Sequence, residues 1–271
     1  MALIAVTSAT GAPGATVTSL ALALSWPRSS LLVECDPAGG SVLTGYLGGG
    51  LPADRGLAQL AYAHYQGRLY DDFAGQLIYL DAAGKDDSPG PQRLLLPGVT
   101  DPAQAAALPP MWDSLGGYLR QLERSDPPID AIADCGRVPA LHAPMPLIRH
   151  ADVVLLVVGR TLSAISAAKT RVPLLREETE RRGVGVLRLV VRGRGEYDHK
   201  EIAKLLGTAV AMDLPEDTRT ADMLSGGTGR PRPNATLLRA TRSGSQSLQT
   251  LIESRRAAAN VPTTRPEAVR A

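Results

Sequence analysis

Residues 153–158 read Val-Val-Leu-Leu-Val-Val. Six successive apolar residues leave no polar face, so a strand built from them must be covered on both sides. Strands of that kind belong to parallel sheets held between two layers of helix. Much of the chain repeats this theme. Strand-like runs at Leu3–Val6, Ser30–Val33, Ile129–Ala133, Val186–Val191 and Ala209–Leu214 alternate with helical stretches at about 15–24, 162–182, 200–206 and 245–256. Pro173 is predicted to kink or break the second of these helices. Further helices are predicted near 56–67 and 110–124, in a stretch (48–127) otherwise rich in Gly, Pro and Ala. Repeated strand–helix order with short turns predicts an α/β fold, a three-layer sandwich with a mostly parallel central sheet.

The length of 271 residues suits one large domain. Residues 1–256 are read as that domain, with 48–127 as elaboration inside it. Residues 257–271, small and charged with two prolines, are read as a flexible tail. Hydrophobic residues make up 44% and charged residues 21%, which suits a packed core and excludes a disordered chain. A formal net charge of +2 supplies no electrostatic basis for a specific nucleic-acid ligand. Two cysteines, Cys35 and Cys135, exclude a disulfide scaffold, and both read as small buried hydrophobes. The first charged residue is Arg28. The uncharged start has no basic leader, and Gly11, Pro13 and Gly14 interrupt it, so it does not read as a signal peptide. No later window offers the ~18 consecutive apolar residues of a membrane span. A cytoplasmic location is expected.

The turn after the first strand is Thr10-Gly11-Ala12-Pro13-Gly14-Ala15-Thr16-Val17. Strand, Gly-rich turn and helix form the layout of a phosphate-binding loop. N–H groups at the helix start point outward, the helix dipole favours an anion, and glycine lets the backbone wrap a phosphate. Thr16, just inside the helix, is placed to hold Mg²⁺. The same turn is equally compatible with an ordinary strand-to-helix connection. Two acidic strand ends strengthen the first reading: Glu34-Cys35-Asp36-Pro37 and Asp134-Cys135-Gly136. Ligands of open parallel sheets bind at the carboxyl ends of strands, where all three segments fall. Each acid taken alone could also serve as a cap or turn residue.

With these residues in place, the chain resembles the MinD/ParA family of deviant P-loop ATPases over roughly residues 1–255. The family pattern Lys-Gly-Gly-x-Gly-Lys-Thr-Thr aligns with Thr10 to Val17. Its Asp-x-Asp-Pro strand end resembles Glu34 to Pro37, and its Walker B strand resembles Ala131 to Cys135. Its adenine-side strand resembles Leu189 to Arg192, and its base loop resembles Pro215, Glu216 and Asp217. The resemblance implies a P-loop NTPase-like fold. It implies nucleotide contacts from Gly11, Ala12, Pro13, Gly14, Ala15, Thr16, Val17, Arg192 and Pro215. It implies a Mg²⁺ site at Thr16, Asp36 and Asp134, with Asp36 as the catalytic acid, and ATP or ADP as the ligand. It also implies a protein partner, a homodimer, and a role in a bacterial pilus, secretion, division or partition apparatus, with recruitment to a membrane-associated complex.

The departures concern charge. Only four of the 29 basic residues are lysines, and none precedes Lys85. Thr10 and Ala15 stand where the family has its two lysines, and Arg192 where it has the base-reading Asn. Arg28 lies at the far end of the first helix, about 15–20 Å away at ~1.5 Å per residue, and cannot substitute. Phosphoryl transfer depends on positioning and charge stabilisation, so losing the lysine harms turnover more than binding. A weak nucleotide binder and pseudo-ATPase is therefore expected. The alternative is an active Mg²⁺-dependent ATPase that uses a non-standard base, with Arg137 and Arg160 as candidates. A dinucleotide-dependent oxidoreductase is disfavoured, because Gly-x-Gly-x-x-Gly is absent after the first strand. Ser225–Pro231 reads as a flexible turn, Arg230, Arg232, Arg239 and Arg242 as a solvated basic face, and Glu177, Glu178, Glu180, Arg181 and Arg182 as an exposed helix side.

Overall fold

The computed structural model describes residues 2–10, 14–49, 54–80, 90–122, 125–181 and 185–259. Eight strands form one sheet: β1 (Leu3–Ser8), β2 (Ser30–Glu34), β3 (Ile78–Tyr79), β4 (Arg93–Leu96), β5 (Asp130–Arg137), β6 (Val153–Gly159), β7 (Val186–Arg192) and β8 (Val210–Leu214). Their order across the sheet is β3-β4-β2-β5-β1-β6-β7-β8. Every pairing is parallel except β3 with β4 at one edge. The three-layer α/β architecture read from the sequence is the one observed.

Side chains alternate across the sheet, and each face has its own core. Leu3 and Ala5 of β1 point to one core, Ile4 and Val6 to the other. The first core is covered by α2 (Leu57–Tyr65), α4 (Trp112–Gln121), α5 (Met145–His150), α6 (Leu162–Glu180) and α7 (His199–Leu206). The second is covered by α1 (Ala15–Ser25), α8 (Thr218–Leu224) and α9 (Thr236–Ala259). A short α3 (Leu69–Asp72) continues from α2. Val153 to Val158 are all buried, as a strand covered on both faces requires.

Three buried acids organise the sheet. Asp130 accepts the Ala2 N–H at 2.5 Å, the Trp26 indole at 2.7 Å and the Arg28 Nε at 3.0 Å. Arg28 is therefore committed to the amino end of β5. Asp152 accepts the Leu3 N–H at 2.9 Å and both Nε and Nη2 of Arg256, which pins the last helix to the first strand. Glu34 is the third and shapes the site described below.

Several expectations change. The helix predicted to kink or break at Pro173 runs without interruption from Leu162 to Glu180. Pro173 lies on its exposed face, where the loss of one N–H donor is least costly. The last helix starts at Thr236 rather than near 245 and continues to Ala259. Residues 260–271 lie outside the described residues. Glu178 is buried and pairs with Arg149 of α5, so the charged side of α6 is not wholly exposed. Strands β3 and β4 fall between the two helices predicted near 56–67 and 110–124, where the sequence pattern predicts loops. Residues 225–229 form an exposed turn.

Candidate functional site

The carboxyl ends of β1, β2 and β5 meet at the middle of the sheet. Parallel register sets Asp134 opposite both Val6 of β1 and Glu34 of β2. The Thr7 hydroxyl donates to the Gly136 carbonyl at 2.9 Å, which fastens the ends of β1 and β5 together. The chain then leaves β1 and re-enters the described residues at Gly14, the N-cap of α1. Gly11, Ala12 and Pro13 lie outside the described residues.

Gly14 has φ of +78°, in the left-handed region that favours glycine. Beyond it, Ala15 is buried, while Thr16 and Val17 are half-buried. The first turn of α1 carries no acid and no side-chain cap, so its outward N–H groups and positive dipole end have no anionic side chain of the helix itself. Thr16 turns the other way, and its hydroxyl donates to the carboxylate of Asp134. Asp134 also accepts the Gly136 N–H at 3.1 Å. Burial pushes the Asp134 carboxyl up to about 7, against the lowering effect of these two hydrogen bonds.

Glu34 and Asp36 have separate tasks. The Glu34 carboxylate is buried and accepts N–H bonds from Ser41 at 2.7 Å, Val42 at 2.9 Å and Gly98 at 3.2 Å. It ties the loop after β2 to the segment after β4. Burial raises its pKa, opposed by those three donors. Asp36 is half-buried, accepts the Ala38 N–H at 2.8 Å, and packs on Gly136 so closely that a Cβ there would lie 2.2 Å from its carboxylate. The three acids are thus gathered at one spot, but Glu34 is consumed by structure while Asp36 is half-buried against Gly136.

On the other side of β1, the chain builds a cleft of about 430 Å³ lined by Gly159, Arg192, Gly193, Glu216, Asp217 and Thr218, among others. Arg194 and Glu216 form an ion pair at 2.9 Å on its rim. Pro215, half-buried at the end of β8, leads directly into this lining. Asp217 caps α8 through the Thr220 N–H at 3.1 Å and accepts the Leu237 N–H of α9 at 3.2 Å, so it joins two helix starts. Arg192 crosses from β7 to the start of α1: its Nη1 reaches the Gly14 carbonyl at 3.4 Å. The sequence missed this reach, and it missed Gly136 and the Arg194–Glu216 pair. The pattern Arg192-Gly193-Arg194-Gly195 at a strand end is the one signal that could have drawn notice.

The arginines considered as substitutes for lysine differ in their freedom. Arg160 donates Nε to the Gly193 carbonyl at 2.8 Å and Nη1 to the Tyr197 carbonyl at 3.2 Å, and it pairs with Asp213. It holds the segment after β7 in place. Arg137 is exposed at the end of β5. Lys169, Lys200 and Lys204 are exposed on α6 and α7, on the opposite side of the sheet from α1. Among the described residues no group of three or more His, Cys, Asp or Glu side chains could hold a metal. Magnesium needs no such cage, since it usually takes one or two carboxylates plus phosphate and water. The oxygen pair of half-buried Thr16 and buried Asp134, with Asp36 beside it, fits that requirement.

The eight-stranded, mostly parallel sheet between two layers of helix is a P-loop NTPase-like α/β fold. The fold is that of the ParA/MinD ATPases. A ParA family ATPase from Chlorobium tepidum superposes with a TM-score of 0.68 at 14% identity, over 91% of this chain and 98% of that one. MinD from Pyrococcus horikoshii, in complex with Mg-ADP, gives 0.68 at 18% identity, over 94% and 98%. The MinC–MinD complex from Aquifex aeolicus gives 0.66 at 18% identity, over 92% and 96%. Compared by sequence, neither a family model nor a curated protein matches. Among the described residues no helix is long and apolar enough to cross a membrane.

Proposed function

We propose that this chain is a MinD/ParA-like protein that binds ATP or ADP weakly with Mg²⁺, hydrolyses it poorly, and acts by docking to a protein partner. One observation supports this reading: the Thr16 hydroxyl is hydrogen-bonded to Asp134, while Ala15, buried at the start of α1, aligns with the family's phosphate lysine. Gly14, Ala15, Thr16 and Val17 would offer backbone N–H groups to phosphate. Gly11, Ala12 and Pro13 complete the loop in sequence. Pro215 and its neighbours would border the base. Magnesium held by Thr16, Asp36 and Asp134 would screen phosphate charge, and Asp36, on the outer side, would be the acid nearest the attacking water. A lost charge-assisted hydrogen bond weakens binding about ten- to a hundred-fold, and turnover more.

The nucleotide and the metal are supported by the Mg-ADP complex of P. horikoshii MinD, and a protein partner by the MinC–MinD assembly. By the same likeness the chain would dimerise and work in the cytoplasm, in positioning or assembling a bacterial apparatus, with recruitment to a membrane-associated complex. A second reading, an active Mg²⁺-dependent ATPase, draws on Arg137. That side chain is exposed three residues beyond Asp134, within the rim.

The test is binding of a fluorescent ATP analogue together with phosphate release, for the wild type and for Thr10→Lys with Ala15→Lys. Weak saturable binding without release, strengthened about ten- to a hundred-fold by the two lysines, is expected. Wild-type turnover matching that of active ParA proteins would overturn the pseudo-ATPase reading. Its loss on Arg137→Ala would establish the second.

A further inference from the structure

A second cavity, of about 350 Å³, lies beside the 430 Å³ cleft and shares only Asp217 with it. Three arginines line it: Arg219 from α8, and Arg230 and Arg232 from the segment between α8 and α9. In the sequence Arg230 and Arg232 read as part of a solvated basic face. The fold instead gathers them, with Arg219, around a hollow.

The charge of this hollow is unbalanced. Asp217 is the one acid among the described residues of its lining. That carboxylate is already engaged: Oδ1 accepts the Thr220 N–H at 3.1 Å, and Oδ2 accepts the Thr220 hydroxyl at 2.8 Å and the Leu237 N–H at 3.2 Å. Arg230 is braced by neutral groups. Its Nη1 donates to the Leu80 carbonyl at 3.3 Å, and its guanidinium lies over the Tyr46 ring, 5.3 Å from the ring centre. Among the described residues, the side chains of Arg219 and Arg232 have no hydrogen-bond or ion-pair partner. Three guanidinium groups, always protonated, thus line one hollow with a single spent carboxylate. Like charges held together repel, and an anion received between them relieves the repulsion.

The segment is shaped before any ligand arrives. Pro231 and Pro233 flank Arg232 and fix the backbone on both sides of it. The Ala235 N–H closes a turn on the Arg232 carbonyl at 2.9 Å, and Arg242 of α9 donates Nη2 to the Pro233 carbonyl at 3.2 Å. Less freedom is then lost on binding. Asn234 and Thr236 add uncharged hydrogen-bonding groups to the lining.

We propose that this cavity binds a small polyanion, a molecule bearing two or more phosphate groups. Guanidinium forks match phosphate oxygens two at a time. The volume lies at the small end of ligand pockets, about 300–1,000 Å³, and has room for more than one such group. A concave site of this size takes a small molecule rather than the flank of a duplex, and a formal net charge of +2 gives no wider basic footprint for nucleic acid. The site is separate from the start of α1 and does not depend on the nucleotide reading above.

The experiment titrates the full chain calorimetrically with inorganic pyrophosphate in the absence of Mg²⁺. The wild type is compared with Arg219→Ala, Arg232→Ala, their double variant, and Arg239→Ala, which removes an exposed arginine of α9 outside the cavity. Saturable binding is expected in the wild type and in Arg239→Ala. Each cavity variant should bind about tenfold more weakly, and the double variant about a hundredfold. High salt should weaken binding, and a duplex oligonucleotide should not displace the pyrophosphate. No binding at millimolar pyrophosphate overturns the proposal. So does binding that is unchanged in the double variant, which would place the anion elsewhere. An equal loss in Arg239→Ala would mark a general basic face, and displacement by the duplex would mark a nucleic-acid contact; either result also overturns it. If thermal melts show that the alanine variants unfold early, Arg219→Gln and Arg232→Gln are read by the same criteria.

Discussion

The hydroxyl of Thr16 donates to the carboxylate of Asp134, joining the first turn of α1 to the end of β5 inside the protein. Burial, opposed by this contact, pushes the Asp134 carboxyl up to about 7 from 3.8. The proton is bound more tightly in the folded chain than in the unfolded one. The stability contributed by Asp134 is therefore full below pH 3.8 and is lost as pH rises to about 7. The change amounts to at most about 4 kcal/mol. Asp134→Asn should flatten this dependence, so that urea midpoints of variant and wild type diverge in the variant's favour between pH 5 and pH 8. Parallel curves for the two proteins across that range would refute it.

Glu34 gives a second measurable effect. Its carboxylate satisfies the N–H groups of Ser41, Val42 and Gly98. Replacing it with alanine leaves buried donors unmatched, each costing about 1–3 kcal/mol. Glu34→Ala should lower stability by roughly 3 kcal/mol and speed amide exchange at Ser41, Val42 and Gly98 well beyond the global change. Exchange that rises only in step with overall stability would show that the carboxylate does not hold this loop.

At Gly14, conformation and space act together. The left-handed φ disfavours any side chain by about 1–2 kcal/mol, and a methyl group would meet the Arg192 guanidinium. Gly14→Ala should lower the melting temperature by several degrees and weaken nucleotide-analogue binding at the same time. Binding that survives intact in a destabilised variant would separate the two effects and count against the placement of Arg192.

The last helix supplies the fourth expectation. Arg256 donates Nη2 to both Asp152 oxygens, at 3.1 and 2.9 Å, and Asp152 is almost wholly buried. Arg256→Ala leaves that charge with the Leu3 N–H alone and should cost about 2–3 kcal/mol. Replacing Asp152 with Asn in the same chain should recover part of the loss, read by chemical denaturation. No recovery in the double variant would mean that the arginine acts through packing instead.

The parts of this molecule legible in the sequence are those set by local pattern. Val153 to Val158 announce a two-sided strand because no polar face is possible. Thr16, Asp36 and Asp134 can be named because each sits at a strand end or helix start, and parallel topology brings such ends together. What escapes depends on the reach of long side chains between elements. Arg192 aligns with a base-reading position in sequence, but only the placement of β7 beside β6 lets its guanidinium arrive at Gly14. Glu178 reads as exposed because α5, which carries Arg149, is only six residues long and leaves no periodic trace. The edge strand β3 has two residues, too few for any alternation to show. The missing lysine is visible in sequence, whereas its neighbour in space is not.

The order β5-β1-β6 at the middle of the sheet has a consequence for how the chain is made. Strand β1 pairs with partners that follow it by more than 120 residues, as in the Ala2–Asp130 bond. Until residue 159 has emerged, the stretch from Leu3 to Ser8 lacks one or both of its flanking strands. Contacts of such separation fold slowly, because a long loop must close before they reward it. Strand β1, buried throughout in the finished protein, therefore lacks a neighbour on at least one side until then. That strand leads toward α1, whose start gains its final neighbours only after residue 159 has been translated.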